Sequence, residues 1–160
     1  MLNLQNVNIE LLIKLFENSI ADVISTISGI SVLKRDNNDL NSNLNEGFVG
    51  ILPFSGGING FFMMKTDEQS LKTLTSYITG CDMSLAKEDD MMDCIGELAN
   101  MVCGTVRAKA ALNGISFKLS IPFSALGVNG LKFSFKKNTK TFTLRFSSCG
   151  IHINTRVVLA

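Results

Sequence analysis

The chain has 160 residues, 46% of them apolar and 18% charged, with a formal net charge of +1. That length suits a single domain spanning 1–160 with a substantial hydrophobic core, and the composition excludes a disordered chain. Only two prolines and no Gly-x-y period exclude collagen and proline-rich linkers. Lys14, Glu17 and Asp22 interrupt the most apolar N-terminal stretch, so no run approaches the ~18 residues of a membrane span. The stretch also lacks a basic leader and a small-residue cleavage site, which predicts a cytoplasmic protein with no membrane partner.

Net charge conceals a split. All 14 acids lie at or before Glu97, together with six bases, and the other nine bases follow it. Residues 1–97 therefore carry −8 and the remainder +9. The split predicts a basic surface on the C-terminal half, suited to an acidic partner, unless the bases are scattered over several faces of a sheet.

In chain order, Ile9, Leu12, Ile13, Phe16, Ile20, Val23, Ile24 and Ile27 recur at helical spacing and predict an amphipathic helix. Asn6 or Asn8 caps its start and Gly29 its end. Ile30 to Lys34 reads as a short strand, and Asp36 to Glu46 as a polar loop. Phe48–Phe54 and Asn59–Lys65 read as two strands about the turn Ser55-Gly56-Gly57. Thr66 to Gln69 fits a capping box before a short helix with the stripe Leu71, Leu74 and Ile78, ending at Gly80. Ser84 is the expected cap of a long helix with Glu88, Asp89 and Asp90 at its positive end, Lys109 at its negative end and Asn113-Gly114 as terminator. Alternation then predicts strands on Phe117-Leu119-Ile121, ended by Pro122, on Leu131-Phe133-Phe135, on Phe142-Leu144-Phe146, and on Ile151 to Leu159. The expected fold class is α+β: long helices packed on a largely antiparallel sheet, in the order α-β-β-β-α-α-β-β-β, give or take one strand.

The chemistry-bearing residues are few. Cys81, Cys94, Cys103 and Cys149 form no C-x-x-C pair, and His152 is the single histidine. That predicts no metal site and reduced, buried or half-buried thiols. Cys94 and Cys103, nine apart, fall on roughly opposite faces of one helix. No Ser-His-Asp arrangement is available. Gly56-Gly57-x-x-Gly60 lacks the Lys-Ser/Thr of a phosphate loop and opens a strand, so it reads as a hairpin turn. Lys132 to Lys140 interleaves bases with aromatics, but Leu131, Phe133 and Phe135 are more simply one buried face, which argues against nucleic acid. Met63-Met64 and Met91-Met92 read as core or interface filler.

The informative segment is Asp93-Cys-Ile-Gly96-Glu97-Leu-Ala-Asn100-Met-Val-Cys-Gly104. On a helix, Glu97 and Asn100 lie within roughly 60° of each other, and Asp90, Asp93, Gly104 and Arg107 extend the same polar row. Met91, Ile95, Leu98, Val102 and Val106 form the opposite, core-facing stripe. A glycine inside a helix costs ~1 kcal/mol relative to alanine, so Gly96 and Gly104 call for a close approach by something else.

Gly96-Glu97-x-x-Asn100-x-x-x-Gly104 resembles the signature of the CheC/CheX/FliY family of chemotaxis phosphatases, and GELANMVCG resembles the CheX branch. Element order and Ser120-Ile121-Pro122 fit that resemblance over most of the chain. The resemblance implies hydrolysis of the aspartyl-phosphate of a CheY-like response regulator. Asn100 would orient the attacking water, and Glu97 would grip the regulator's lysine. Asp93, Gly104 and Arg107 would meet the partner. The chain would need no cofactor of its own, because the regulator carries Mg2+. The first helix offers Glu17 but Ile20 three residues later, so it lacks the amide, which implies one site per chain. A homodimer is also implied. The alternative is a CheX-like dimeric module that binds a regulator or a flagellar-switch component without hydrolysis.

Overall fold

A computed structural model describes residues 8–30, 34–35, 47–127 and 139–160. The elements are α1 (Ile9–Ser28), β1 (Lys34–Arg35), β2 (Gly47–Gly56), β3 (Gly60–Thr66), α2 (Glu68–Thr79), α3 (Glu88–Ala111), β4 (Phe117–Leu119), β5 (Phe123–Gly127), β6 (Lys140–Ser148) and β7 (Ile151–Leu159), with a 3₁₀ turn at Met83–Leu85. Every described strand pairing is antiparallel. The sheet order is β1-β6-β7-β3-β2-β4, and β5 runs beside β2 along the same edge as β4. The fold is α+β, as the element pattern predicts. Among the described residues no helix is long and apolar enough to cross a membrane.

One face of the sheet carries the helices. Phe48, Leu52, Phe54, Phe62, Met64, Leu144, Phe146, Ile153, Val157 and Leu159 alternate along their strands and share one buried cluster with α1, α2 and α3. Phe16 of α1 stacks on Phe62 at 5.4 Å between ring centroids and meets Phe142 edge-on at 5.8 Å, which ties the helix to the middle of the sheet. The caps of α1 follow the sequence: Asn8 Oδ1 accepts from the Leu11 amide, and Gly29 closes the helix at φ 70°.

Several expectations shift. Asp67, not Thr66, caps α2, accepting from the Ser70 amide at 2.8 Å and the Ser70 hydroxyl at 2.8 Å. Thr66 is instead the last residue of β3, where its hydroxyl donates to the His152 carbonyl. Ser84 does not cap α3. It is held by Asp82 within the 3₁₀ turn, and the first turn of α3 is closed by Asp90, which accepts from the Lys87 amide at 3.1 Å. The strand expected on 117–121 ends at Leu119, and a second strand, β5, begins immediately after Pro122. Proline lacks the N–H a ladder needs, so the chain breaks there and rejoins β2 further along. The strand expected on Ile30–Lys34 is represented by the β1 pairing of Lys34 and Arg35. The Asp36–Glu46 loop and the Leu131–Phe135 strand lie outside the described residues.

α3 runs across the centre of this face, against β2, β3 and β5 on one side and between α1 and α2 on the other. It comes closest at Gly50, in the interior of β2. A Cβ at that position would run into the carbonyl oxygen of Ile95 and come within 3.3 Å of the Ala99 methyl. Backbone meets backbone here, and neither can give way. Gly50→Ala is therefore expected to cost roughly 1–3 kcal/mol through overpacking. In a chain of this size that lowers the melting temperature by about 2–4 °C per kcal/mol. A calorimetric scan showing no loss would mean that α3 does not sit this close to β2.

Candidate functional site

Because α3 is packed on the sheet and also flanked by two helices, its buried surface is wider than one stripe. Met91, Ile95, Leu98, Val102 and Val106 are buried as the periodicity predicts. Cys94, Gly96, Ala99, Cys103 and Ala110 are buried too. Cys94 and Cys103 point to different sides of the helix and both are enclosed, as expected, but Cys81 and Cys149 are exposed, which corrects the expectation of buried or half-buried thiols for them. Burial pushes the Cys94 and Cys103 thiols up from their usual pKa, so both are held protonated and unreactive.

The polar row lies on the open side of the helix, which Met101, Thr105 and Ala108 share. Asp90, Asp93, Glu97 and Arg107 are exposed, and Asn100 and Gly104 are half-buried. Glu97 and Asn100 project together, with Asn100 Nδ2 3.5 Å from Glu97 Oε2. The space where a Gly104 side chain would go is empty to 4 Å. A neighbouring helix therefore does not account for that glycine, and the face beside Asn100 is bare backbone. Off the row, Lys109 pairs with Asp22 of α1 at 2.6 Å, a surface contact between the two helices.

Glu97 and Asp93 also form one wall of an open cleft of about 530 Å³, with Met92 and Gly96. Its other wall is Pro122, Phe123 and Ser124, from the start of β5. Ser124 fastens the two walls together: its hydroxyl donates to the Met92 carbonyl at 2.7 Å. Gly96 explains itself at this point, since a Cβ there would sit 2.9 Å from Ser124 Oγ. Sequence reasoning missed Phe123 and Ser124 because it ended the strand at Pro122, and it took Met92 only for core or interface filler.

His152 plays a structural part. Its amide donates to Ser70 Oγ at 2.9 Å and its ring meets Ser147 Oγ at 2.9 Å, so it ties the β6–β7 hairpin to the start of α2. The charge split of the sequence is only partly a split in space, since Arg107 and Lys109 of the basic half lie on α3. Lys65, Lys118, Arg145 and Arg156 alternate with residues of the buried cluster, which places them on the sheet face away from the helices. The described acids lie on or beside the helices.

A family model described as "Chemotaxis phosphatase CheX" matches residues 48–147. The chain belongs to the CheX family. Comparison with curated protein sequences finds no match. Among solved structures, the chain resembles the chemotaxis protein CheX of Vibrio vulnificus, with a TM-score of 0.78 at 19% identity over 93% of this chain and 96% of that one. It is similar to CheX in a complex of CheX, CheY, BeF3 and Mg2+ from Borrelia burgdorferi, with a TM-score of 0.75 at 16% identity over 92% and 97% of the two chains. FliY of Thermotoga maritima is more distant, with a TM-score of 0.63 at 14% identity over 94% and 88%. At these identities the likeness is one of fold.

The Gly96–Ser124 contact predicts a non-additive pair. Alone, Gly96→Ala should be nearly neutral, because ~1 kcal/mol of helix propensity is offset by displacing a hydrogen bond contributing ~1 kcal/mol. In a Ser124→Ala background the same change should stabilise by up to ~1 kcal/mol. Denaturant titrations of the four proteins measure the coupling; simple additivity would contradict the contact.

Proposed function

We propose that this chain hydrolyses the aspartyl-phosphate of a CheY-like response regulator, acting in the cytoplasm as a homodimer of single-domain CheX-like subunits. The observation that carries the reading is the pairing of Glu97 and Asn100 on the open side of α3, beside a glycine that leaves the backbone bare.

An acyl phosphate is already reactive, so the task is to place one water in line with the phosphorus. A carboxamide suits this, because it donates through one atom and accepts through the other. With Nδ2 turned toward Glu97, Asn100 Oδ1 is free to accept from a water. The water oxygen bonds to phosphorus, the bond from phosphorus to the aspartyl oxygen breaks, and the carboxylate and inorganic phosphate leave, with the water's proton passing to phosphate or solvent. Mg2+ held by the regulator would offset the phosphoryl charge, and this chain would supply no metal. Glu97 is the carboxylate that meets the regulator's lysine, with Asp93 beside it. Gly104 leaves room for the phosphorylated loop, and Arg107 closes the far end of the row.

The alternative, a CheX-like module that binds without hydrolysis, is separated by two substitutions. Asn100→Ala should lower the rate of phosphate loss from a phosphorylated regulator by ~10²-fold, as does loss of one orienting group elsewhere, with binding little changed. Glu97→Ala should weaken both binding and rate, since a hydrogen bond to a charged group contributes ~1.5–3 kcal/mol, and Glu97→Gln should fall between. A folded Asn100→Ala protein at wild-type rate would overturn the role of the amide. A wild-type protein that binds the regulator but leaves its phosphate lifetime unchanged would establish the binding module instead.

A further inference from the structure

The proline that stops one strand also sets which way the next one faces. β5 starts directly after Pro122, and its register on β2 pairs Phe123 with Ile51 and Ser124 with Gly50. Side chains alternate along a strand. Ile51 belongs with Val49 and Met63 to the apolar cluster on the sheet face away from α3, whereas Gly50 is where α3 comes down. Ser124 is therefore turned toward α3, beside the place where helix and sheet meet backbone to backbone.

Its hydroxyl is committed. It donates to the Met92 carbonyl at 2.7 Å, and a Cβ on Gly96 would stand 2.9 Å from its oxygen. A helix carbonyl already accepts from the amide four residues on, here Gly96, and has a second lone pair. The serine uses that second position from outside the helix. α3 is thus tied to two strands at two points: Ile95 and Ala99 at Gly50 of β2, and Met92 at Ser124 of β5. The first is a packed seat, which limits how near the helix comes. The second is a directional bond, which also limits how far it moves away and how it is turned. The two ties serve different parts of the open side. Asn100 follows Ala99, at the Gly50 seat. Asp93 and Glu97 follow Met92 and Gly96, and these four form the α3 wall of the cleft, opposite Pro122, Phe123 and Ser124.

We propose that Ser124 is a positioning residue: by holding the Met92–Gly96 turn of α3 it fixes the placement of the Glu97 carboxylate, and so sets affinity for the receiver domain without touching the phosphoryl group. This rests on the function proposed above. A group carried at the ~5–6 Å radius of a helix moves by about 1 Å when the helix turns by about 10°. A displacement of that size weakens a charge-assisted contact that depends on geometry. Asn100, beside the Gly50 seat, is spared.

The test measures the affinity of the full chain for a receiver domain carrying Mg2+ and beryllofluoride, beside turnover of the phosphorylated receiver. Wild type, Ser124→Ala, Glu97→Ala and the double variant are compared well below the melting temperature of each. Ser124→Ala should weaken binding by about fivefold, less than the ~10-fold or more expected of Glu97→Ala. The half-saturating receiver concentration should rise to match, with the saturated rate unchanged. In the Glu97→Ala background the serine substitution should cost little further, because the group it positions is gone. Losses that add in full would mean that Ser124 acts on something other than Glu97, and would overturn the proposal. Unchanged affinity in Ser124→Ala, or a fall in saturated rate at unchanged affinity, would overturn it too. A second readout needs no partner. Backbone dipolar couplings of the free, aligned protein should change over residues 89–97 in Ser124→Ala and hold over residues 99–110. Couplings unchanged throughout would show a helix that does not depend on the hydroxyl, and the proposal would fall. If wild-type protein neither binds nor dephosphorylates a receiver, the functional reading falls and takes this role with it; if wild type binds and Ser124→Ala binds equally well, only the role of Ser124 falls.

Discussion

The close seating of α3 on β2 at Gly50 determines much of the rest. A strand residue without a side chain lets the Ile95 carbonyl of the helix come down onto the sheet. Any other residue would lift the helix away from the strand. At that depth Ser124 of β5 reaches the Met92 carbonyl, and Gly96 leaves the hydroxyl space. Three small residues on three elements thus set the height of one helix, and with it the width of the cleft between α3 and the rim at Pro122 and Phe123.

The same seating decides what the helix can offer. With the sheet below it and α1 and α2 against it, α3 offers one side for contact with anything else, and the polar row lies on that side. Polar side chains on that row need no desolvation in the free protein, and they are carried on a helix that cannot tilt. Glu97 and Asn100 need nothing from their neighbours except position, which the packing of α3 on the sheet supplies. The chemistry proposed for them asks for the same thing: an amide and a carboxylate at fixed spacing, with no activated nucleophile and no metal of their own.

Much of this was legible in the sequence, for local reasons. The apolar spacing of α1, the caps at Asn8 and Gly29, the alternation of β6 and β7 and the polar row on α3 all depend on residues within a turn or two of one another. The motif residues were legible by resemblance, and their shared face by helical geometry. What escaped depends on distant partners. The second buried side of α3 is created by α1 and α2, which the periodicity of one helix does not show, and the exposure of Cys81 and Cys149 depends on turns whose packing is not local. Asp67 displaced Thr66 as the cap of α2 because Thr66 is drawn into β3 by the His152 carbonyl. The restart of the chain as β5 was hidden because a proline that ends one strand gives no hint that another begins beside it. The cleft depends on that restart, so Phe123 and Ser124 were hidden too.

The helix layer carries the described acids and the far side of the sheet carries Lys65, Lys118, Arg145 and Arg156, so the two faces of the molecule would attract different partners. The account places the regulator on the helix side, at the open row of α3. Amide chemical shifts of the isotope-labelled chain, followed as a receiver domain with Mg2+ and beryllofluoride is added, test that directly. The account predicts shifts at Asp93, Glu97, Asn100, Gly104 and residues 120–124, with Arg145 and Arg156 unmoved. Shifts confined to the outer sheet face, with the α3 row unmoved, would contradict it.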